Sequence, residues 1–384
     1  MRQISRWWRK PQARALLWQA ATIAAVAACI WWLADNTAAN LARQNKTSGF
    51  GFLDGTAGFA INFHLIEYDE SHTVWRVFAV GVLNTLLVSV LAIIGATFLG
   101  FAVGIGQLSA HPLVRALAVG YVELFRNIPL LLQIFFWYFI VLRPLPPPKS
   151  SIAAAGAFLN NRGAYLPKPL FDGGGWWIMA AVVIALLLSL LLWYLSRRRR
   201  DKTGKGFTVW SWVLLLFALL PPLAFAFSGA SFSVEIPRLS GFNVKGGLWL
   251  PPEFMALWFA LAVYTASFIA ENVRAGVLSV GIGQSEAYRA LGLRRTAGLR
   301  LVVIPLALRV IIPPLTNQYL NAAKNSSLAV AIAYPELVSV FTGIVLNNTG
   351  NEIEVIFMTM LFYLAMSLSI AALMNWFNRR FALR

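Results

Sequence analysis

Residues 271–305, which lie between two long apolar runs, read ENVRAGVLSVGIGQSEAYRALGLRRTAGLRLVVIP. The middle of this segment predicts a short helix. Gln284 and Ser285 are able to cap its start, and Glu286 would then lie in the first turn, where a carboxylate suits the helix dipole. Gly292 is placed to end the helix. A small apolar face follows from three residues at helical spacing, Ala287, Ala290 and Leu291. We expect a compact helical knob with one acidic corner, although an amphipathic linker on the membrane surface would explain the same pattern.

The composition around this segment is that of a membrane protein. Of the 384 residues, 59% are hydrophobic and 12% are charged, and this charged share is about half that of an ordinary soluble domain. A helix needs roughly 20 apolar residues to cross the hydrocarbon core. Eight stretches approach that length: 15–34, 77–106, 113–142, 176–195, 208–227, 254–270, 304–323 and 353–376. The sequence therefore predicts an all-α polytopic membrane protein with about eight transmembrane helices.

The net charge of +17 follows the predicted orientation of these spans. An even number of spans places both termini on one side of the membrane. If that side is the cytoplasm, inner segments hold 20 of the 32 Lys and Arg residues and outer segments hold 10. Cytoplasmic loops carry such an excess of Lys and Arg. The positive charge is then explained by orientation and by contact with anionic headgroups of the lipid bilayer, and no nucleic-acid partner is expected.

Little in the sequence suggests an enzyme or a metal site. The single Cys29 excludes an internal disulfide, and three scattered histidines leave no clustered metal site. Segments outside the spans reach at most about 42 residues, too few for a catalytic domain. Ser-His, Cys-His and paired-carboxylate arrangements do not gather at a common depth, which disfavours a membrane-embedded enzyme. The outer segments 35–76 and 143–175 are expected to be irregular, the second because it begins with four prolines in residues 144–148.

The segment quoted first resembles the EAA loop of binding-protein-dependent ABC importer permeases. That loop has the pattern EAA, three residues, G, nine residues, I-x-L-P. This chain has EAY at 286–288, Gly292 and VVIP at 302–305, so the spacing matches throughout. Tyr288 replaces the third alanine, and we expect a slightly different docking surface there.

Two more segments narrow the resemblance to the polar amino-acid uptake subfamily. Residues 121–136 read YVELFRNIPLLLQIFF, and residues 304–332 read IPLALRVIIPPLTNQYLNAAKNSSLAVAI; both are similar to that subfamily's signatures. The resemblance covers about 75–142 and 253–384, and it implies a five-helix type I permease core with an extra N-terminal helix and an inserted helix pair. This enlarged form resembles a permease of the general L-amino-acid transporters.

The resemblance also implies a division of the chain. The expected segments are a basic leader, anchor helix and periplasmic segment at 1–76, the first part of the core at 77–142, the insertion at 143–252, and the second part of the core at 253–384. It further implies a multi-pass protein of the bacterial inner membrane with both termini in the cytoplasm.

The implied partners carry the chemistry that this chain lacks. A phosphate-binding loop needs G-x-x-x-x-G-K-[S/T], and Gly204 to Gly206 lack the upstream glycine and the following hydroxyl. The expectation is that ATP and magnesium bind a partner ATP-binding cassette ATPase, that no cofactor binds this chain, and that it is not an enzyme. Other expected partners are a second, non-identical permease, a periplasmic amino-acid-binding protein and L-amino acids. By resemblance, the ATPase-coupling residues are Gly283, Gln284, Glu286, Ala287, Ala290 and Gly292.

A path for a zwitterionic substrate requires polar residues within the membrane. Arg126 could attract a carboxylate and Glu123 an ammonium group, although these two residues, three apart on one helical face, could simply pair with each other. Glu271 and Arg274 are expected to form a local ion pair. Further candidates lie in the seventh predicted span and just beyond it, where they could line the path or bond between helices: Gln318, Asn321, Lys324, Asn325, Ser326 and Ser327.

Two points stay open at this level. Ala96, Gly100 and Gly104 recur every four residues and predict close helix contact, either with a companion permease or within this chain. An ion-coupled secondary amino-acid transporter is the main functional alternative. It would need coupling carboxylates at mid-membrane, for which Glu123 is the main candidate, and it would often show inverted repeats, which this sequence lacks.

Overall fold

The computed structural model describes residues 11–43, 49–172, 175–203, 208–229 and 231–382. The basic leader 1–10 and the segment Gly204 to Gly206 lie outside the described residues. The chain divides into two compact units, one of Met1–Phe135 with Leu257–Arg384 and one of Phe136–Ala256. The segment boundaries expected from the sequence at 76, 142 and 252 stay a prediction.

Helices dominate the described residues. In chain order they are α1 (Pro11–Arg43), α2 (Val74–Gln107), α3 (Pro112–Asn127), α4 (Leu130–Leu142), α5 (Gly175–Thr203), α6 (Val209–Phe227), α7 (Pro252–Leu278), α8 (Ile282–Ala290), α9 (Arg295–Ile332), α10 (338–349) and α11 (Glu352–Ala382). Seven of them are long and apolar enough to cross a membrane, or eight spans result if α3 and α4 count as one broken span. The predicted count of about eight therefore agrees with the structure.

The predicted third span, 113–142, is not one straight helix. Helices α3 and α4 meet at 106°, because Pro129 has no N–H group and forces the preceding Ile128 into an extended conformation. The break leaves carbonyl groups without helical donors. The buried Gln133 amide supplies two of the missing bonds, at 2.9 Å to the Phe125 oxygen and 3.0 Å to the Ile128 oxygen.

The small residues of α2 pack against a helix of the same chain. A Cβ atom placed on Gly100 would lie 2.6 Å from the Ile269 Cβ, and one on Gly104 would lie 2.7 Å from the Val273 Cβ. Both neighbours belong to α7, so only glycine allows this approach. The close contact predicted from Ala96, Gly100 and Gly104 is confirmed, and it lies within this chain.

The outer segment 35–76 is mostly irregular, as predicted, although it begins inside α1. A 3₁₀ turn (Phe50–Asp54) and a single bridge between Thr56 and Thr73 are its regular features among the described residues. Leu53, Ile61 and Tyr68 are buried in a core with residues of α2, α10 and α11. Apolar anchoring and a few backbone hydrogen bonds, such as that from the Ala57 N–H to the His72 oxygen at 2.9 Å, hold this segment in place.

The prediction that residues 143–175 are irregular is wrong. They contain β1 (Ile152–Ala154), β2 (Ala157–Asn160), β3 (Gly163–Leu166) and β4 (Lys168–Asp172), and residues 231–250 add β5 (Ser231–Glu235), β6 (Arg238–Ser240), β7 (Asn243–Lys245) and β8 (Leu248–Leu250). The order β1-β2-β3-β8 forms one antiparallel sheet, while β4 pairs with β5 and β6 with β7. Ala155 and Gly156 both have positive φ, which gives the tight two-residue turn that joins β1 to β2. The prolines precede the first hairpin and do not prevent it.

Candidate functional site: the cytoplasmic loop and a charged cavity

The short helix predicted between the sixth and seventh spans is present as α8, but it begins earlier than expected. Gly281 precedes its first residue, and the Gly281 carbonyl already accepts the Gln284 N–H at 3.0 Å. Gln284 and Ser285 therefore lie inside the helix and do not cap it, and Glu286 lies in the second turn. The predicted end is confirmed: Gly292 has φ +70, and its N–H bonds to the Arg289 oxygen at 2.9 Å.

Most of the surface of α8 is open. The predicted coupling residues are all exposed in this chain: Gly283, Gln284, Glu286, Ala287, Ala290 and Gly292. Two large apolar side chains flank them, Ile282 at 78% exposed and Leu291 at 79% exposed. The helix thus presents one carboxylate among small and apolar groups, a surface that a partner could cover.

Tyr288 does not contribute to this open surface, contrary to the sequence-based expectation. Its side chain is only 4% exposed, and its ring lies directly over Gly298, where an added Cβ would come within 2.3 Å of it. Gly298 lies at the start of α9. The tyrosine that replaces the third alanine therefore joins α8 to the next helix, a role that the motif alone could not reveal.

A cavity of about 690 Å³ lies between α2, α3 and α7. Its charged and polar lining consists of Gln107, Ser109, Arg115, Glu123, Arg126, Asn127, Glu271 and Arg274. The expected pair of Glu271 and Arg274 is confirmed, with a distance of 3.1 Å between Arg274 Nε and Glu271 Oε2. The cavity therefore brings Glu123 and Arg126, two of the predicted path residues, close to the Glu271–Arg274 pair, and their role in a substrate path stays a prediction.

Glu123 and Arg126 both line this cavity without pairing with each other. The ion pairs found among the described residues do not join them, and the Arg126 guanidinium carbon lies 5.2 Å from the centre of the Phe268 ring. The amide nitrogen of Gln107, a side chain only 6% exposed, has no hydrogen-bond partner within the described chain. The cavity is thus lined by the Glu123 carboxylate and the Arg126 guanidinium, which do not pair with each other, while the unpartnered Gln107 N–H is buried in its wall.

The polar residues of α9 are not brought into this cavity, since those that line it belong to α2, α3, α7 and the turn between α2 and α3. Asn321 and Lys324 are exposed, Gln318, Asn325 and Ser327 are half-buried, and Ser326 is buried. The hydroxyl of Ser326 donates to the Ala323 oxygen at 2.7 Å. Ser326 is therefore satisfied within its own helix, and the pathway role of the set stays a prediction.

A buried carboxylate that the sequence analysis did not single out lies just beyond α9. Glu336 is fully buried and accepts hydrogen bonds from the N–H groups of Val338 and Ser339 at the start of α10. The Tyr363 hydroxyl of α11 donates to it at 3.1 Å. Burial raises the pKa of Glu336 to about 7. A lone Glu in an apolar stretch, two residues before a helix start, was the available signal.

Comparison with known proteins agrees with this architecture. Residues 194–383 match the family described as binding-protein-dependent transport system inner membrane component. The chain is 52% identical to the putative amino-acid ABC transporter permease protein YhdX of Escherichia coli (strain K12), over 97% of this chain and 95% of that one. It is 48% identical to the general L-amino acid transport system permease protein AapQ of Rhizobium johnstonii, over 97% and 93%.

A third relative is more distant. The chain is 38% identical to the glutamate/glutamine/aspartate/asparagine transport system permease protein BztB of Rhodobacter capsulatus, over 92% of this chain and 90% of that one. All three matches extend through the insertion as well as the core.

The fold, the site and these relatives define a class: a multi-pass membrane transport subunit with a helical knob between two of its spans. The chain belongs to the family of binding-protein-dependent transport system inner membrane components. It is a permease subunit of an ATP-driven importer, and membership in this family implies that ATPase and substrate-binding subunits work with it.

Proposed function

We propose that this chain imports L-amino acids by receiving them from a periplasmic binding protein and by coupling their passage to ATP and magnesium bound on a separate ATPase. The exposed surface of α8 is the observation that carries the proposal. A carboxylate near alanines, large apolar side chains and the exposed Arg289, on a short helix between two spans, suits a groove on a cytoplasmic partner. The chain itself binds no cofactor.

ATP then acts through a difference in affinity for two conformations. Closure of the ATPase pair moves α8, and α8 moves α7 and α9, since it is joined to α9 through Tyr288 and Gly298. A ligand shifts a two-state equilibrium only by its differential affinity for the states. Helix α8 links the ATPase to the membrane helices, so that ATP binding favours one of the two permease conformations over the other.

Docking of α8 on a cytoplasmic ATPase also requires one orientation of the chain. Both termini and α8 lie in the cytoplasm, and the protein resides in the bacterial inner membrane. A second, non-identical permease completes the pathway, with the exposed Asn321 and Lys324 of α9 facing either the path or that companion, because lipid does not accommodate such polar side chains.

The cavity between α2, α3 and α7 forms the inner part of the substrate path. Arg126 attracts the carboxylate of an amino acid and Glu123 attracts its ammonium group. The names of the relatives support substrates of this class: AapQ is a general L-amino acid system permease and BztB serves glutamate, glutamine, aspartate and asparagine.

The coupling role is tested by Glu286→Lys in a complex reconstituted with binding protein and ATPase. We expect normal membrane insertion, loss of labelled amino-acid uptake and weaker co-purification of the ATPase, because the variant reverses the one acidic corner of α8. Arg300→Ala, an exposed change outside α8, serves as the control. Wild-type uptake by Glu286→Lys, or uptake that persists without the ATPase, would refute the proposal and favour an ion-coupled transporter.

The path is tested by Arg126→Ala together with Arg126→Lys. Alanine should reduce uptake at least tenfold, and lysine should restore part of it, since it retains the charge. Unchanged substrate affinity and uptake rate in Arg126→Ala would mean that Arg126 has only a structural role, as in its contact with Phe268.

A further inference from the structure

The strands of the second unit lie at one end of the hairpin formed by α5 and α6. Strand β4 precedes α5 and β5 follows α6, and the two strands pair from Lys168–Glu235 to Asp172–Ser231. The basic residues Arg197, Arg198 and Arg199 lie at the other end of the hairpin. Because such clusters mark the cytoplasmic side, the strands at the opposite end of the hairpin lie on the external side of the membrane.

These strands are unusually open for a folded β-structure. Every residue of β1, β5 and β6 is exposed. Two-stranded ribbons such as β4–β5 and β6–β7 are marginally stable alone. A partner that covers them would therefore stabilise them.

The β6–β7 hairpin carries a concentrated positive charge. Arg238 lies directly opposite Lys245, and like charges in that position destabilise an antiparallel pair. Phe242 at the turn is 76% exposed, and the Lys149 ammonium lies 3.8 Å from the centre of its ring. Within the part of the chain that the structure describes, no carboxylate pairs with these three cations. The β6–β7 hairpin thus carries a pair of uncompensated cations at its open end, and an exposed aromatic ring with a third cation at its turn.

We propose that this hairpin surface, defined by Lys149, Arg238, Phe242 and Lys245, docks the soluble solute-binding protein through carboxylates on that protein. The inference rests on the orientation and partner given under the proposed function. Charge complementarity selects the occupant. The negative surface potential that attracts basic segments belongs to the cytoplasmic leaflet. The hairpin surface lies on the opposite, external side of the membrane, where the binding protein delivers its substrate. Aromatic and arginine side chains are enriched in protein interfaces.

The test uses the complete transporter, with both permeases and the ATPases, in lipid nanodiscs. The probe is the binding protein that stimulates ATP hydrolysis by that complex, loaded with its amino acid, and its Kd is measured at low and physiological salt. Arg238→Glu combined with Lys245→Glu should weaken binding about tenfold or more at low salt and flatten the salt dependence. Arg162→Glu is the control, because it reverses one charge of the same unit in the β2–β3 turn, away from the hairpin surface.

A second measurement identifies the molecule that contacts the hairpin surface. In a Cys29→Ser background, Phe242→Cys carrying a photoreactive group should crosslink to the binding protein. Crosslinking to the companion permease or to lipid instead would overturn the proposal, as would an unchanged Kd for the double variant or an equal loss in Arg162→Glu. These failures differ from failure of the proposed function, since binding-protein-dependent uptake by the wild-type complex is measured separately.

Discussion

Replacing Gly298 by alanine should separate helix α8 from the start of α9, and this substitution tests the coupling role proposed for α8. The added Cβ would lie 2.3, 2.4 and 2.6 Å from three carbon atoms of the Tyr288 ring. Because Tyr288 is only 4% exposed, the ring has little room to move without losing its buried position. Overpacking of this kind costs about 1–3 kcal/mol. If that cost falls on the arrangement in which α8 docks, its population drops about 5- to 150-fold.

The assay is binding-protein-stimulated ATP hydrolysis together with amino-acid uptake in proteoliposomes. Gly298→Ala should reach the membrane normally and lose most of both activities. Tyr288→Ala removes the clash but also the contact between α8 and α9, so the double variant should recover part of the activity and show a favourable coupling energy in a double-mutant cycle. Gly120→Ala is the control, because a Cβ on Gly120 of α3 meets no heavy atom within 4 Å.

Two results would contradict this reasoning. Wild-type activity of Gly298→Ala would mean that the Tyr288 contact does not position α8. A double variant as impaired as Gly298→Ala would mean that the added methyl group acts on something other than the tyrosine ring.

Three further substitutions test the packing and the buried polar groups, each by thermal unfolding of the detergent-solubilised protein. The pKa of Glu336 is raised from its ordinary value of 4.5 to about 7, so its stabilising contribution is complete below pH 4.5 and is lost as the pH rises through 7. Glu336→Gln should abolish this pH dependence of stability, which is worth on the order of 3 kcal/mol. An unchanged pH profile in Glu336→Gln would exclude Glu336 as the source of the dependence. Gly100→Leu should destabilise the protein by about 1–3 kcal/mol through its clash with Ile269, whereas Gly120→Leu should be nearly neutral, and equal losses would argue against the helix contact. Asn84→Ala removes two buried hydrogen bonds from its amide to backbone carbonyls, at 2.8 and 2.9 Å, and should cost about 1–3 kcal/mol; a smaller loss would show that other donors replace it.

The membrane spans could be predicted because they depend on local composition. A run of apolar residues long enough to cross the bilayer must form a helix there, since backbone groups find no water to bond with. The break at Pro129 was visible as a proline, but the 106° bend there was not, because a proline interrupts a helix without fixing the direction in which the chain continues. Strands β1 to β8 were missed because they are three to five residues long and lie beside prolines and glycines.

The candidate site divides in the same way. The sequence by itself determined the membrane class, the position of the loop that contains α8 and the glycine at the end of that helix, since spacing and conformational freedom are local properties. Only the tertiary structure decided that Tyr288 turns inward onto Gly298, that Glu123 and Arg126 line a cavity rather than pair, and that Gly100 contacts Ile269. Those outcomes depend on which helices lie side by side, and that choice is made by shape and burial across long sequence separations.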